Sequence, residues 1–155
     1  MMNQWFETHV KYEKTLETGI QKKVDETYLV DAMSFTEAEN RTIEEMIPFI
    51  SGEFEVSAAK KARISELFYD AAGDKWYRCK VCFITLDEKS CMEKRSYSNM
   101  LVQASDFQTA VSNLETGMKG TMTDWEIFSI TETKIMDVFG APRESAPDAE
   151  TTSAE

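Results

Sequence analysis

Histidine and cysteine are scarce in this sequence, its glycines are few and dispersed, and it has no long apolar run. Its one histidine, His9, is flanked by Glu7 and Lys11, so no Ser–His–Asp or Cys–His set can be assembled except around that residue. Six dispersed glycines make neither a phosphate loop nor a dinucleotide-binding turn. The carboxylates are numerous but scattered, and Glu44-Glu45 reads as the solvated side of a helix. These shortages predict a protein that is not an enzyme, has no catalytic residue and uses no cofactor.

No apolar run approaches the roughly 18–20 residues of a membrane-spanning helix. The opening MMNQWFETHV has neither the basic segment nor the apolar core of a signal peptide, so the expected setting is the cytoplasm, with no membrane partner. Three cysteines, Cys79, Cys82 and Cys91, are an odd count that argues against a disulfide framework. Basic residues are scarce too: 17 against 28 acidic ones give a formal charge of −11. That balance opposes non-specific attachment to DNA or anionic membranes and leaves room for a local basic patch. The final APRESAPDAETTSAE has no large apolar side chain and four acids against one arginine. It reads as a disordered acidic tail, residues 141–155, and the chain without it carries −8.

What the sequence does contain is a repeat. YLVDAMSFTEAE (28–39) and MLVQASDFQTAV (100–111) share five of twelve positions, including Leu29/Leu101, Val30/Val102 and Phe35/Phe107. The spacing of 71 or 72 holds elsewhere: Trp5-Phe6 with Trp76-Tyr77, EFEV (53–56) with DWEI (124–127), and Leu67-Phe68 with Val138-Phe139. This predicts a tandem duplication, residues 1–70 and 71–140. Each copy opens with an alternating strand, Phe6, Thr8, Val10 and Tyr12 or Tyr77, Cys79, Val81 and Phe83. A polar turn leads to a second strand, around Tyr28–Ala32 or Met100–Ala104. The period then becomes helical: Ser34 with Glu37 makes a capping box, Asp106 caps the second copy, and Phe107, Ala110, Leu114 and Met118 form one stripe. A third strand follows, and the segments ending in LFYD and MDVFG fit either a strand or a short helical turn, the strand being favoured. The expected fold is α+β: a strand–strand–helix–strand unit twice over, two pseudo-symmetric halves packed as one domain, with helices on antiparallel sheet.

The Cys79-x-x-Cys82 pair invites a zinc or redox reading. On a strand, however, residues three apart point to opposite faces, and zinc needs four ligands, so no metal site is expected. The outer face of each first strand is more suggestive. Trp76, Arg78 and Lys80 share a face, as do Trp5, Glu7, His9 and Lys11; Lys22-Lys23 and Lys94-Arg95 occupy matching places on the second strands. Aromatic and basic residues on a sheet can stack bases and hold phosphates. The same types at an exposed patch also suit a protein partner, and each Trp could instead seal a packed contact.

The runs WFETHVKYEKT, QKKVDETYLVDAMSFTEAE and PFISGEF, with KVCFITLDEKS, MLVQASDF, GMKGTM and MDVF, resemble a domain-of-unknown-function family numbered 4494 over about residues 4–139. The resemblance implies a setting among Bacteroides-type bacteria, their phages and mobile elements. It brings no activity and no site residue. The reading that follows is a non-enzymatic interaction module, binding an unidentified protein partner or its own copy as a homo-oligomer through the surface made by duplication. Its alternative is a protein for single-stranded RNA or DNA. The residues that would carry either are Trp5, Lys22, Lys23, Trp76, Arg78, Lys80, Lys94 and Arg95.

Overall fold

The computed structural model describes residues 4–140, so the expected tail at 141–155 lies outside the described residues. The elements run β1 (Gln4–Thr15), β2 (Gln21–Ala32), α1 (Phe35–Met46), β3 (Phe54–Ala62), β4 (Glu66–Phe68), β5 (Lys75–Asp87), β6 (Met92–Ala104), α2 (Phe107–Gly117), β7 (Asp124–Glu132) and β8 (Ile135–Phe139). The chain is thus α+β, mostly strand with two helices. It divides into two compact units, one of residues to Ala62 together with those from Asp137 onward, the other Arg63–Met136.

In the first unit the strand order is β3-β1-β2-β8. Period-two alternation along β1 sends Phe6, Thr8, Val10 and Tyr12 to the face under α1, and Trp5, Glu7, His9 and Lys11 to the other. The hairpin pairs Gln4 with Ala32 and Thr15 with Gln21, and β3 runs antiparallel along β1. The expected cap starts α1: Ser34 Oγ accepts from Glu37 N at 3.1 Å, and the Glu37 carboxylate accepts from Met33 N. Ala38, Thr42 and Met46, four apart, are the buried stripe.

That stripe carries a polar residue at its centre. Thr42 Oγ1 donates to Ala38 O at 2.9 Å and lies 3.0 Å from Thr8 Oγ1, both side chains fully buried. The hydroxyl pair divides the core into two apolar clusters, Phe6–Val30–Ala32–Ala38 and Val10–Tyr28–Met46–Ile50. Phe139 of β8 packs against both and stacks on Tyr28 at 5.3 Å. Next to it the hydroxyls of Tyr12 and Tyr28 both donate to Glu26, at 3.1 and 2.8 Å. Burial, then the Glu26 carboxylate, raises the pKa of both phenols.

In the second unit the order is β4-β6-β5-β7. Here the core is one cluster, with Cys79 and Leu114 among its fully buried members. Asp106 caps α2 by accepting from Thr109 N at 2.8 Å, which holds its carboxyl below the usual range. The last residue of α2 is glycine for a steric reason: a Cβ on Gly117 would lie 2.5 Å from the Phe68 ring.

The segments read as strands from their sequence, around 62–70 and 133–140, are strands. Their destinations were not foreseen. β4 leaves the hairpin that precedes it and joins β6, while β8 joins β2. The expected purely antiparallel sheet is corrected on this point, since β4 lies parallel to β6. A strand arriving from outside the hairpin has no tight turn to force it antiparallel.

Two consequences can be measured by urea unfolding. Thr42→Val leaves the Thr8 hydroxyl buried without its acceptor and costs about 1–3 kcal/mol, whereas Thr8→Val/Thr42→Val removes both partners and is close to neutral. Phe139→Ala empties the contact shared by both clusters and costs about 3 kcal/mol, the low end for a large aromatic because the ring is only half-buried.

Candidate interaction face

Alternation along β5 sends Tyr77, Cys79 and Val81 into the core under α2 and leaves Trp76, Arg78, Lys80, Cys82 and Ile84 on the opposite face. The β6 register sets Asn99 beside Lys80, Tyr97 beside Cys82 and Arg95 beside Ile84. On the other flank the β5–β7 register slips between Lys80 and Val81, pairing Ser129 and then Ile127. The unpaired residue is Phe128. A bulge of this kind re-aims a side chain, and it brings Phe128 against Tyr97. The rings meet edge-on at 5.1 Å, and Lys80 Nζ stands 5.2 Å from the centre of each. Both rings remain exposed, Tyr97 at 47% and Phe128 at 59%. A cation over two rings contributes about 0.5–1 kcal/mol at such a site and fixes an otherwise mobile lysine.

Arg95 continues this face and is already engaged. Its two terminal nitrogens reach Glu126 and Glu93, each at 3.1 Å, and one also approaches Cys82 Sγ at 3.8 Å. These partners push the guanidinium pKa up, Glu126 foremost. Lys94 lies 3.8 Å from Asp87. Arg78 is exposed and forms no ion pair among the described residues.

The expected residues do not assemble into one patch. Trp76 is only 2% exposed; its ring meets the edge of Tyr69, and its carbonyl accepts from Thr133 N and Oγ1 at 2.9 and 2.8 Å. It is a packing residue with no free surface for a partner. Trp5 is half-buried in the first unit, opposite Asp31 and Ala62. Lys22 and Lys23 are exposed at the far end of the same sheet, opposite Lys14 and Glu13. Nine residues of strand from Trp5 to Lys14 set them roughly 30 Å apart. Lys80, Arg78 and Arg95 stay together, while Tyr97 and Phe128 were missed. Tyr97 was legible as the outward neighbour of Cys82. Phe128 was legible only from the inward pair Ile127 and Ile130, whose spacing of three requires a bulge.

His9 sits among acids on the side of the first sheet away from α1: Nε2 is 3.0 Å from Glu7 Oε2, and Nδ1 is 3.3 Å from Thr27 Oγ1 and 3.6 Å from Asp25. Cys79 lies in the core, and Cys82 on the opposite face beneath Arg95. Among the described residues no group of three or more His, Cys, Asp and Glu could hold a metal ion. Burial pushes the Cys79 thiol up to about 11, so almost no thiolate forms at pH 8. Cys82 is equally buried and Cys91 is exposed. A thiol-exchange reagent at pH 8 is expected to titrate one cysteine rapidly, Cys91, and the other two only after unfolding. Cys91→Ser removes the fast phase.

No curated protein matches the chain. Residues 4–141 match a family described as "Domain of unknown function (DUF4494)", and the chain belongs to that family.

Proposed function

We propose that this chain is a non-enzymatic interaction module that binds a protein partner through the Lys80–Tyr97–Phe128 face of its second unit. One observation carries the reading. On that face Arg95 is bound by two carboxylates, while two aromatic rings stay open. Phosphate recognition depends on cations, and the acidic total of the chain opposes binding to a polyanion. A protein interface favours Tyr and Phe at its centre and charged pairs at its rim.

The reading includes a tandem duplication as the origin of the two units. Its support is local. Both halves follow strand, strand, helix, strand, strand, and both third strands carry their extra residue at matching places, Ser57 and Phe128. Both hairpin turns have a positive φ, at Gly19 and Cys91, 72 residues apart. A bacterial or phage cytoplasm is the proposed setting. Among the described residues no helix is long and apolar enough to cross a membrane.

The alternative, binding of single-stranded RNA or DNA, separates on salt dependence. Titration with short single-stranded oligonucleotides, followed by tryptophan fluorescence at low and moderate salt, is expected to give no saturable change. Saturable binding that weakens with salt replaces the protein reading with the nucleic-acid one. In the same preparation, proteins captured by the wild type are expected to be lost from Tyr97→Ala/Phe128→Ala. Loss of two central aromatic anchors weakens an interface by about thirtyfold or more, and both are surface residues whose removal leaves the unfolding midpoint nearly unchanged.

A further inference from the structure

We propose that the β3 edge of the first sheet is a self-complementary interface, at which β3 of one chain pairs antiparallel with β3 of a second copy. β3 ends the order β3-β1-β2-β8 and has no strand on its outer side among the described residues. Its sequence, with one flanking residue at each end, is EFEVSAAKKAR. Acids occupy the first half, Glu53 and Glu55; small residues the middle, Ser57, Ala58 and Ala59; and bases the second half, Lys60, Lys61 and Arg63. An antiparallel copy reverses that order and sets each acidic half against a basic one.

The register follows from the faces. Glu55 lies opposite Lys11 and Lys60 opposite Glu7, both on the side away from α1, whereas Phe54 and Val56 face the α1 side. Residues directly opposite in an antiparallel pair share a face. With Ser57 opposite Ala58 of the second copy, Glu55 meets Lys60 and Val56 meets Ala59, and both pairings keep their faces. The outer row then reads Asp25, Lys11, Glu55 on one copy and Lys60, Glu7 on the other, with sign alternating at every step. One link of that row is already made within the chain, Lys60 Nζ to Glu7 Oε2 at 3.6 Å. On the α1 side Lys61 of the second copy falls beside Phe54. There a groove of about 630 Å³ between α1 and β3, lined by Ile43 and Ile47, is rimmed by Glu39 and Glu53. Ile47 is 61% exposed on its own. The groove offers an apolar bed for the lysine stem and acids for its head.

Lysines and a bulge on an edge oppose pairing with arbitrary strands. A copy that brings Glu55 to Lys60 is the exception. The edge strand β7 of the second sheet lacks this property: self-pairing about Phe128 would set Asp124 opposite Glu132. The interface belongs to the first unit's sheet and does not depend on the Tyr97–Phe128 reading; either can fail alone.

Sedimentation equilibrium of the full chain across the micromolar range tests the pairing. The wild type is expected to show a concentration-dependent monomer–dimer equilibrium. Glu55→Lys and Lys60→Glu should each weaken it by about tenfold or more, because a two-fold interface counts each change twice. The two changes move net charge in opposite directions, so a shared loss cannot come from overall repulsion. Glu55→Lys/Lys60→Glu restores the opposed pairs between copies and should recover part of the affinity, the remainder being lost because Lys11 and Glu7 then stand beside like charges. Glu132→Lys on β7 should leave it unchanged. Far-UV circular dichroism confirms that each variant is folded. A chain that stays monomeric at every concentration, or a dimer indifferent to both single changes, overturns the proposal.

Discussion

Each sheet is closed by a strand that the chain delivers from outside the hairpin it flanks, and the rest of the structure depends on that closure. In the first unit the buried hydroxyl pair of Thr8 and Thr42 interrupts what would otherwise be a continuous apolar layer. Two clusters of four residues are each too small to offset much chain entropy alone. Phe139, arriving with β8, touches both and makes them one packing unit. In the second unit the core, with Cys79 and Leu114 among its fully buried members, is continuous, and Phe68 of β4 closes it by lying against Gly117. A missing Cβ at residue 117 and an aromatic at residue 68 are therefore one feature seen from two places in the sequence.

The same strands position the open face. A slip of one residue between β5 and β7 removes Phe128 from the ladder and sets it over the sheet, where Tyr97 and Lys80 fix its place. On a strictly alternating strand Phe128 would share its face with Glu126 and Ile130, and Ile130 in fact packs into the core. The bulge thus serves the core and the surface together: it keeps both Ile127 and Ile130 inward and leaves the aromatic between them outside.

The local elements were legible because each rests on short-range rules. Alternation in β1 and β5, the capping pair Ser34 and Glu37, and the stripe Ala110–Leu114–Met118 need no knowledge of distant residues. The pairing partners of β4 and β8 were not, because short apolar segments such as ELF fit the edge of either sheet equally well. Trp76 misled for a related reason. Alternation fixes the face of a strand on which a side chain stands but not whether that face is covered, and burial of Trp76 is a tertiary fact. The pairing of Arg95 is a tertiary fact of the same kind. Arg95 looks free in sequence because Glu126, thirty-one positions away, becomes its neighbour only through β5.

Net charge and local charge pull in opposite directions in this chain, and distance decides between them. A formal −11 repels a second copy, but that repulsion acts across the whole molecule and is screened beyond a Debye length of about 8 Å at physiological salt. The ladder Asp25–Lys11–Glu55, continued by Lys60–Glu7, would act at contact, where screening is weakest. Low salt therefore favours the repulsion and very high salt weakens the ladder, so association through β3 should be strongest at intermediate ionic strength. An interface built only from apolar contact would strengthen steadily as salt screens the net charge. The shape of the salt curve thus distinguishes the two without any substitution. It also gives the order EFEVSAAKKAR a physical meaning that composition alone would average away.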